Sequence, residues 1–453
     1  MVQRLFITLI QVITNTFFRR IDVVGRENVP ASGPVIFAGN HPNALMDGWL
    51  LMARCGRWPL HFMVDAKLWK YWMLGQILDV TGAVPVYRRE DHGGEVDNSK
   101  AFDKLYEVME SGNCMGIFPE GVSHVESQLA KLKTGTARIA LAVAARGKVK
   151  VTIVPCGLNY IHRHRFRSQV LIEFGEPIVI EDEWLEEFKA DEQNTVRKLT
   201  EHLAQALRNV TLNAPDWRTF RFVQAARRLY KPATANLSPG VYVELNRRFV
   251  DGYLHATDDK EMRQFRDDVE DYQSRLEMLG IKDHQLRKPM SAGKAFRRLT
   301  TRFLTMLLLL PVAIPGALLH LPVGWIAAVV GEKFSYEMDD IATIKVFATI
   351  LLLPLLYLVI ALTVWNLFGF WWAMGAVASL TMSFFVSVRL IEAEASLLMS
   401  MVSILRLTRL RAELEDLRAT RVRLVQQVRR LVDRLADTQK PRIFSNTDFS
   451  SRQ

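Results

Sequence analysis

Residues 34–48 read PVIFAGNHPNALMDG, and the fold is read outward from them. The apolar run PVIFAG closes on a glycine, as a buried strand of a parallel sheet does. NHPNALMDG then turns the chain into a helix. Pro42 suits a first helical position, and it keeps the preceding His41 out of helical backbone. The same alternation continues in AVPVY (83–87), CMGIFP (114–119), VTIVPCGL (151–158) and QVLIEFG (169–175), with helical stretches between them such as 133–146. Strands alternating with helices over 21–215 predict an α/β domain, a mixed or mainly parallel sheet flanked by helices. In such sheets the chemical groups gather where strands end.

The 453 residues are 23% charged and 49% hydrophobic, with slightly positive mean hydropathy. At about 150 residues per domain that is roughly three units, and it excludes a disordered chain. Cys55, Cys114 and Cys156 lie far apart and form no CxxC pair. A zinc ribbon, a thioredoxin-type site and a disulfide scaffold therefore have no support, and a reducing compartment is expected. The net charge of +10 points to nucleic acid or to acidic lipid. HRHRFR (162–167) is basic with one aromatic, but no nucleic-acid motif accompanies it, so no nucleic-acid partner is expected.

The membrane alternative has its own evidence. No Asp, Glu, Lys or Arg occurs from Phe303 to Gly331, nor from Val346 to Val388. A span needs about 20 apolar residues. The second stretch holds two, near Val346–Trp365 and Phe370–Val388, with a break at Asn366–Gly369. The first is interrupted by Pro311, Pro315 and Pro322 and contains His320, read here as a helix-end or interfacial residue. Basic residues flank the whole region on both sides: Lys294, Arg297, Arg298 and Arg302 before it, Arg389, Arg406, Arg409 and Arg411 after it. Positive flanks stay cytoplasmic, and two flanks on one side need an even number of crossings. A re-entrant first segment followed by a two-span hairpin is favoured over a kinked single span. The expected protein is integral to the membrane, with 21–215 on the cytoplasmic side.

Four further segments complete the organisation. Residues 1–20 (LFITLIQVITNTFF between Arg4 and Arg19–Arg20) are too short to span and lack a cleavage site, which favours an amphipathic membrane-associated helix. Residues 216–295 are a polar helical linker, ahead of the transmembrane region at 296–390. In 391–438 a heptad of Leu410, Leu414, Leu417, Leu424, Val428, Leu431 and Leu435 predicts a coiled-coil-like helix, with Arg421 at one seam position. A second copy of the chain is a candidate partner for that seam. Residues 439–453 read as a disordered tail. Trp69 and Trp72 (in KLWKYWMLGQIL) fit packed core, an interfacial anchor or an acyl-chain wall.

Three strand ends carry unusual residues. After PVIFAG come His41 and Asp47. Six apart, they share no helix face, and they meet only if His41 lies in the loop and folds back over the helix. A histidine held by a carboxylate is what a general base needs, because the carboxylate fixes the tautomer and supports the imidazolium. The bland alternative is a helix-start histidine with a solvated aspartate. After AVPVY come Arg88 and Arg89, suited to gripping a phosphate. After CMGIFP come Glu120 and Gly121, a carboxylate to accept from hydroxyls and a glycine that admits close backbone approach. There is neither a nucleophile elbow nor a metal-ligand cluster, and no metal is expected.

Each signal is weak singly, but their order and spacing resemble those of the glycerolipid acyltransferase family, over Val23 to Glu181. NHPNALMD is similar to its His–Asp block, GAVPVYR to the block ending in a substrate-binding Arg, FPEG to the third block, and IVPCGL to the fourth with its Pro. The resemblance implies that His41 is the general base and Asp47 its orienter. It implies that Arg88, Glu120 and Gly121 bind a phosphorylated glycerol, and that Pro155 shapes the acyl-donor site. The implied reaction needs no cofactor: acyl-CoA or acyl carrier protein is co-substrate, and a glycerol hydroxyl attacks its thioester. Phosphate on CoA or on lipid headgroups then suits HRHRFR. Five residues separate His41 from Asp47 where most members have four, and Val122–Ser123 replace the usual Thr–Arg. Both departures resemble the branch that acylates glycerol-3-phosphate or dihydroxyacetone phosphate. They leave Arg89, Lys133 and His124 as candidates for the missing positive charge. A lysophosphatidate acceptor is the alternative. An inactive membrane scaffold is the alternative of another class.

Overall fold

The computed structural model describes residues 2–87, 99–232, 235, 237–279, 283–286, 292–335, 337–409, 411–435 and 443–444. Arg88 and Arg89 lie outside the described residues. The chain divides into two compact units. The first comprises residues 1–217, 237–247 and 335–343, and the second the remainder.

The first unit is built on an eight-stranded mixed sheet, as the strand–helix alternation predicts. Its elements are α1 (Val2–Phe17), β1 (Phe18–Val24), β2 (Val35–Gly39), α2 (Ala44–Arg54), β3 (Leu60–Asp65), α3 (Trp72–Thr81), β4 (Val84–Val86), α4 (Ser99–Glu110), β5 (Cys114–Ile117), α5 (Gly135–Ala145), β6 (Thr152–Tyr160), β7 (Ser168–Phe174), β8 (Ile178–Val179), α6 (Asp182–Ala190) and α7 (Glu192–Val210). The order is β1-β7-β6-β2-β5-β3-β4, with β8 also on β6. The β1–β7, β6–β2, β2–β5, β5–β3 and β3–β4 pairs are parallel; β6–β7 and β6–β8 are antiparallel.

The central strands read as unbroken apolar runs because both faces are covered. Every residue of β2 is buried, and β6 is buried from Thr152 to Asn159. On one face, Ile139, Ala140, Leu141 and Val143 of α5 and Leu199, Leu203 and Leu207 of α7 form one core with Ile36, Met115 and Ile153 of the sheet. Each fully buried side chain of this size contributes roughly 1.5–3 kcal/mol.

Helix α1 ends at Phe17 and β1 starts at Phe18, three residues before the expected domain boundary at 21. Ile10, Thr14 and Phe17 are buried, while Leu5, Leu9 and Val12 are exposed. Trp69 is half-buried, and its indole N–H donates to Asp79 Oδ1 (2.9 Å). The Trp72 side chain lies outside the described side chains.

The second unit is helical. Helices α8 (Trp217–Tyr230), α9 (Pro239–His255, its residues to 247 in the first unit), α10 (Lys260–Met278) and α11 (Asp283–Leu286) precede three apolar helices, α12 (Ala292–Phe334), α13 (Ile341–Phe368, its first three residues in the first unit) and α14 (Phe370–Arg409). Within these, Leu304–Phe334, Ile341–Phe368 and Phe370–Ile391 are each long and apolar enough to cross a membrane. Side chains such as Leu308, Trp365, Trp371 and Trp372 are exposed, which suits contact with lipid. The expected break falls at Gly369, whose positive φ of 94° makes the turn between α13 and α14. The favoured re-entrant reading of the first stretch is corrected: α12 is one continuous helix through Pro311, Pro315 and Pro322. The missing proline N–H groups leave gaps in its hydrogen-bond ladder without dividing it.

The C-terminal helix, α15 (Arg411–Leu435), lies antiparallel on α10 in the same chain. Leu417, Leu424, Val428 and Leu431 are buried, as are Met262, Phe265, Val269, Tyr272 and Leu276 of α10. Arg421, the polar interruption of the heptad, donates through Nε to Asp283 Oδ1 (2.9 Å), which also accepts from Tyr272 Oη (3.0 Å). Four of the seven heptad residues are thus covered inside one chain.

Candidate active site

The site begins where β2 ends. The Asn40 side chain clamps the strand end to β6, donating to the Leu158 carbonyl (3.2 Å) and accepting from the Leu158 N–H (2.7 Å). The helix opens at Ala44 with Asn43 as its N-cap, two residues later than Pro42 suggested. Ala44 has φ 40°, a left-handed value that a non-glycine residue adopts at a cost of order 1–3 kcal/mol. That strained corner turns His41 back over the helix.

The pair expected from the sequence is formed. His41 Nδ1 donates to Asp47 Oδ2 (2.9 Å), and the Asn43 N–H, one of the orphan donors of the helix start, donates to the same oxygen (2.7 Å). Tyr160 Oη donates to the other oxygen, Oδ1 (2.5 Å). Asp47 is completely buried. Burial raises its pKa, and the donors His41, Tyr160 and Asn43 oppose that by stabilising the anion. With Nδ1 committed as donor, Nε2 of His41 is the basic nitrogen. The imidazole stacks flat on Phe118, with centroids 4.0 Å apart and planes 2° apart.

The Glu120 carboxylate is held among protein donors. It is buried, and both oxygens are taken. Oε1 accepts from the His41 N–H (2.8 Å); Oε2 accepts from the Ala130 N–H (2.7 Å) and from His124 Nε2. The His124 N–H in turn donates to the His41 carbonyl (3.1 Å). Glu120 therefore braces the loop that carries His41. The hydrogen bond to Glu120 raises the pKa of His124, against partial burial that lowers it.

Gly121 (φ 77°) closes the turn on Phe118, its N–H donating to the Phe118 carbonyl (2.9 Å). A Cβ at this position would come within 2.8 Å of Cδ, Cε and Nζ of Lys133, so the lysine lies across this glycine. Pro155 is interior to β6, level with Ala38 of β2, and its carbonyl accepts from the Gly175 N–H (2.8 Å). Arg88 is not among the described residues.

Two residues that the sequence reading passed over stand beside the pair. One is Tyr160. The other is Arg163, which sits in the basic run HRHRFR. Its Nη1 donates to the His124 carbonyl (3.3 Å), its own carbonyl accepts from Asn43 Nδ2 (3.2 Å), and its guanidinium lies 5.9 Å from the Trp217 ring centre. Burial lowers its pKa, and Asp47, Tyr160, Asp339 and Glu126 act in the opposite direction. Among the described residues no group of three or more His, Cys, Asp or Glu side chains is disposed to hold a metal ion.

The arrangement suits proton abstraction from a hydroxyl at Nε2 of His41, beside a cation able to hold an anionic group. Comparison with known proteins finds acyltransferases. Residues 20–159 match the family described as Acyltransferase, and residues 222–439 match the family described as Glycerol-3-phosphate acyltransferase 2 C-terminal domain. Glycerol-3-phosphate O-acyltransferase 2 of Saccharomyces cerevisiae is 37% identical over 58% of this chain and 38% of its own length. Glycerol-3-phosphate O-acyltransferase 1 of the same organism is 32% identical over 57% of this chain and 34% of its own. An uncharacterized acyltransferase of Schizosaccharomyces pombe is 26% identical over 77% of this chain and 66% of its own. The chain thus spans well under half the length of the two Saccharomyces relatives.

Proposed function

From a chain that belongs to the glycerolipid acyltransferase family, we propose an integral membrane enzyme that moves a fatty acyl group from a thioester donor, acyl-CoA or acyl carrier protein, onto a hydroxyl of glycerol-3-phosphate or dihydroxyacetone phosphate. The observation that carries it is the His41–Asp47 pair with Nδ1 held and Nε2 basic. In the proposed reaction Nε2 takes the hydroxyl proton as the oxygen attacks the thioester carbonyl. The C–S bond of the tetrahedral species then breaks, and the imidazolium returns the proton to the leaving thiolate. Asp47 supports the transient imidazolium. Arg163 supplies the positive charge for the acceptor phosphate, as guanidinium groups do bidentately. The relatives named glycerol-3-phosphate O-acyltransferases support that acceptor, and the basic flanks of the apolar helices support a cytoplasmic catalytic face.

The test uses the detergent-solubilised full chain with labelled acyl donor. Glycerol-3-phosphate, dihydroxyacetone phosphate and lysophosphatidate are offered in parallel. Product from one of the first two is expected. His41→Ala should lose it by at least about 10³-fold, as loss of a positioned base and its partner does. Arg163→Ala should raise the acceptor KM and leave the donor KM unchanged. Product from lysophosphatidate alone would replace the acceptor assignment. Absence of product from every acceptor with either donor would make the inactive scaffold the better reading.

A further inference from the structure

We infer that Tyr160 is a positioning residue of the proposed catalytic pair: its phenol fixes the Asp47 carboxylate so that one oxygen is presented to His41. The inference rests on the acyl-transfer reading for its role, and on backbone geometry for its placement. The parallel pairing of β2 with β6 ends at Gly39↔Cys156. Strand β6 continues four residues beyond, to Tyr160, held there by its antiparallel pairing with β7 (Tyr160↔Val170). The Asn40 clamp on Leu158 keeps the loop 40–43 close against this overhang. The overrun brings the phenol within 2.5 Å of Oδ1 of Asp47, 113 residues away in sequence.

The donors are divided between the two oxygens. Oδ2 accepts from His41 and from the Asn43 N–H, and Oδ1 accepts from Tyr160. A carboxylate gripped on Oδ2 alone can swing about its Cβ–Cγ bond, and the phenol on Oδ1 fixes that plane. Tyr160 suits the task because its hydroxyl keeps a proton to donate to the carboxylate. Burial and the neighbouring Asp47 push its pKa well above 10, so the proton stays on the phenol. The ring is held by Phe18, with centroids 5.7 Å apart.

Tyr160→Phe removes the hydroxyl and keeps the ring. With the wild-type melting profile retained, kcat should fall about 10- to 100-fold, the usual loss for one hydrogen bond to a charged group, with both KM values within about twofold. The acid limb of kcat/KM should move to higher pH. A carboxylate deprived of one donor is more basic, so the His41–Asp47 pair takes up its proton at higher pH. In an Asp47→Asn background the same substitution should add little, since the group it positions is no longer a carboxylate. Wild-type kcat and an unmoved acid limb in Tyr160→Phe would overturn the inference. So would an undiminished further loss in the Asp47→Asn background. The titration of the Asp47 carboxyl, followed by NMR of carboxyl-labelled aspartate, should show the same upward shift whether or not turnover is seen, because the Tyr160 hydrogen bond holds it down. If wild type acylates no acceptor, that failure belongs to the acyl-transfer reading, and the Asp47 titration still decides the placement of Tyr160.

Discussion

Glu120 shows what the sequence displays at one residue and what only the fold adds. The sequence displays a carboxylate at a strand end, the right type to accept from substrate hydroxyls. The fold surrounds it with protein donors instead: the His41 and Ala130 N–H groups and the His124 ring. What brings these together is tertiary. Tyr160 escaped the reading for the same reason: nothing local in VPCGLNYIHRHRF marks a tyrosine that meets Asp47 from across the sheet. His41 and Asp47 were legible because the condition for their meeting, a histidine in the loop folded back over the helix, can be stated from Pro42 and helical geometry alone. The Glu120–His124 contact has a consequence in pH. The folded-state pKa of His124 is raised above 6.5, chiefly by Glu120, so folding stabilises the protonated form. That contribution is fully present below the unfolded value near 6.5 and is lost as pH rises through the raised folded value. Wild type should therefore exceed His124→Ala in melting temperature by more at pH 5.5 than at pH 9. An equal difference at both would show that the ring packs there without titrating.

At the scale of elements, periodicity recovered strands β2, β4, β5, β6 and β7 and missed β1, β3 and the two-residue β8. β1 (FRRIDVV) has two arginines at its start and only Phe18 fully buried, so it carries no clean apolar alternation. β3 (LHFMVD) mixes His61 and Asp65 into a strand whose later residues are only half-buried. Both depend on their neighbours in the sheet more than on their own sequence. Among the apolar helices, composition showed where they lie and nothing of how they grip one another. The crossing of α12 and α14 is made at Gly316. The Gly316 N–H donates to Ser383 Oγ (2.6 Å), and that hydroxyl donates to the Val312 carbonyl, so Ser383 stands between two groups four apart on α12. A Cβ at Gly316 would lie 2.5 Å from the Ser383 backbone. Small residues at such a contact let two helices approach where no hydrophobic force joins them. The His320 and Phe384 rings, 4.7 Å apart, report the contact. The double variant His320→Cys/Phe384→Cys should be joined across α12 and α14 by a short bifunctional thiol cross-linker, and adding Gly316→Leu should abolish the cross-link. Ser383→Ala should weaken it less, a single interhelical hydrogen bond in a membrane being worth about 0.6 kcal/mol on average. Unchanged cross-linking with leucine at 316 would place the contact elsewhere.

For the whole molecule, the open question is parity. Three helices are long and apolar enough to cross a membrane, and three full crossings would put α10 and α15 on opposite faces. Yet α10 and α15 are paired along their length. Arg275 meets Asp416 (2.5 Å), Arg421 meets Asp283 (2.9 Å), and Arg434 meets Asp259 and Glu261. The exposed pairs, Arg275–Asp416 and Arg434 with Asp259 and Glu261, contribute under about 1 kcal/mol each. The buried Leu417, Leu424, Val428 and Leu431 each contribute roughly 1.5–3 kcal/mol, and burial therefore decides the pairing. Such a seam does not survive with a bilayer between its halves. Helices α13 and α14, joined through Gly369 alone, already return to the face they left. The prediction is an even number of crossings, the parity that the basic flanks also favour. Single cysteines replacing Glu277 on α10 and Val422 on α15, both exposed positions, test it in sealed vesicles with a membrane-impermeant maleimide. The native Cys55, Cys114 and Cys156 are buried and give a low background. Both sites should label together or be protected together. Labelling of one alone would mean three crossings, and with them separation of the α10–α15 seam in the membrane.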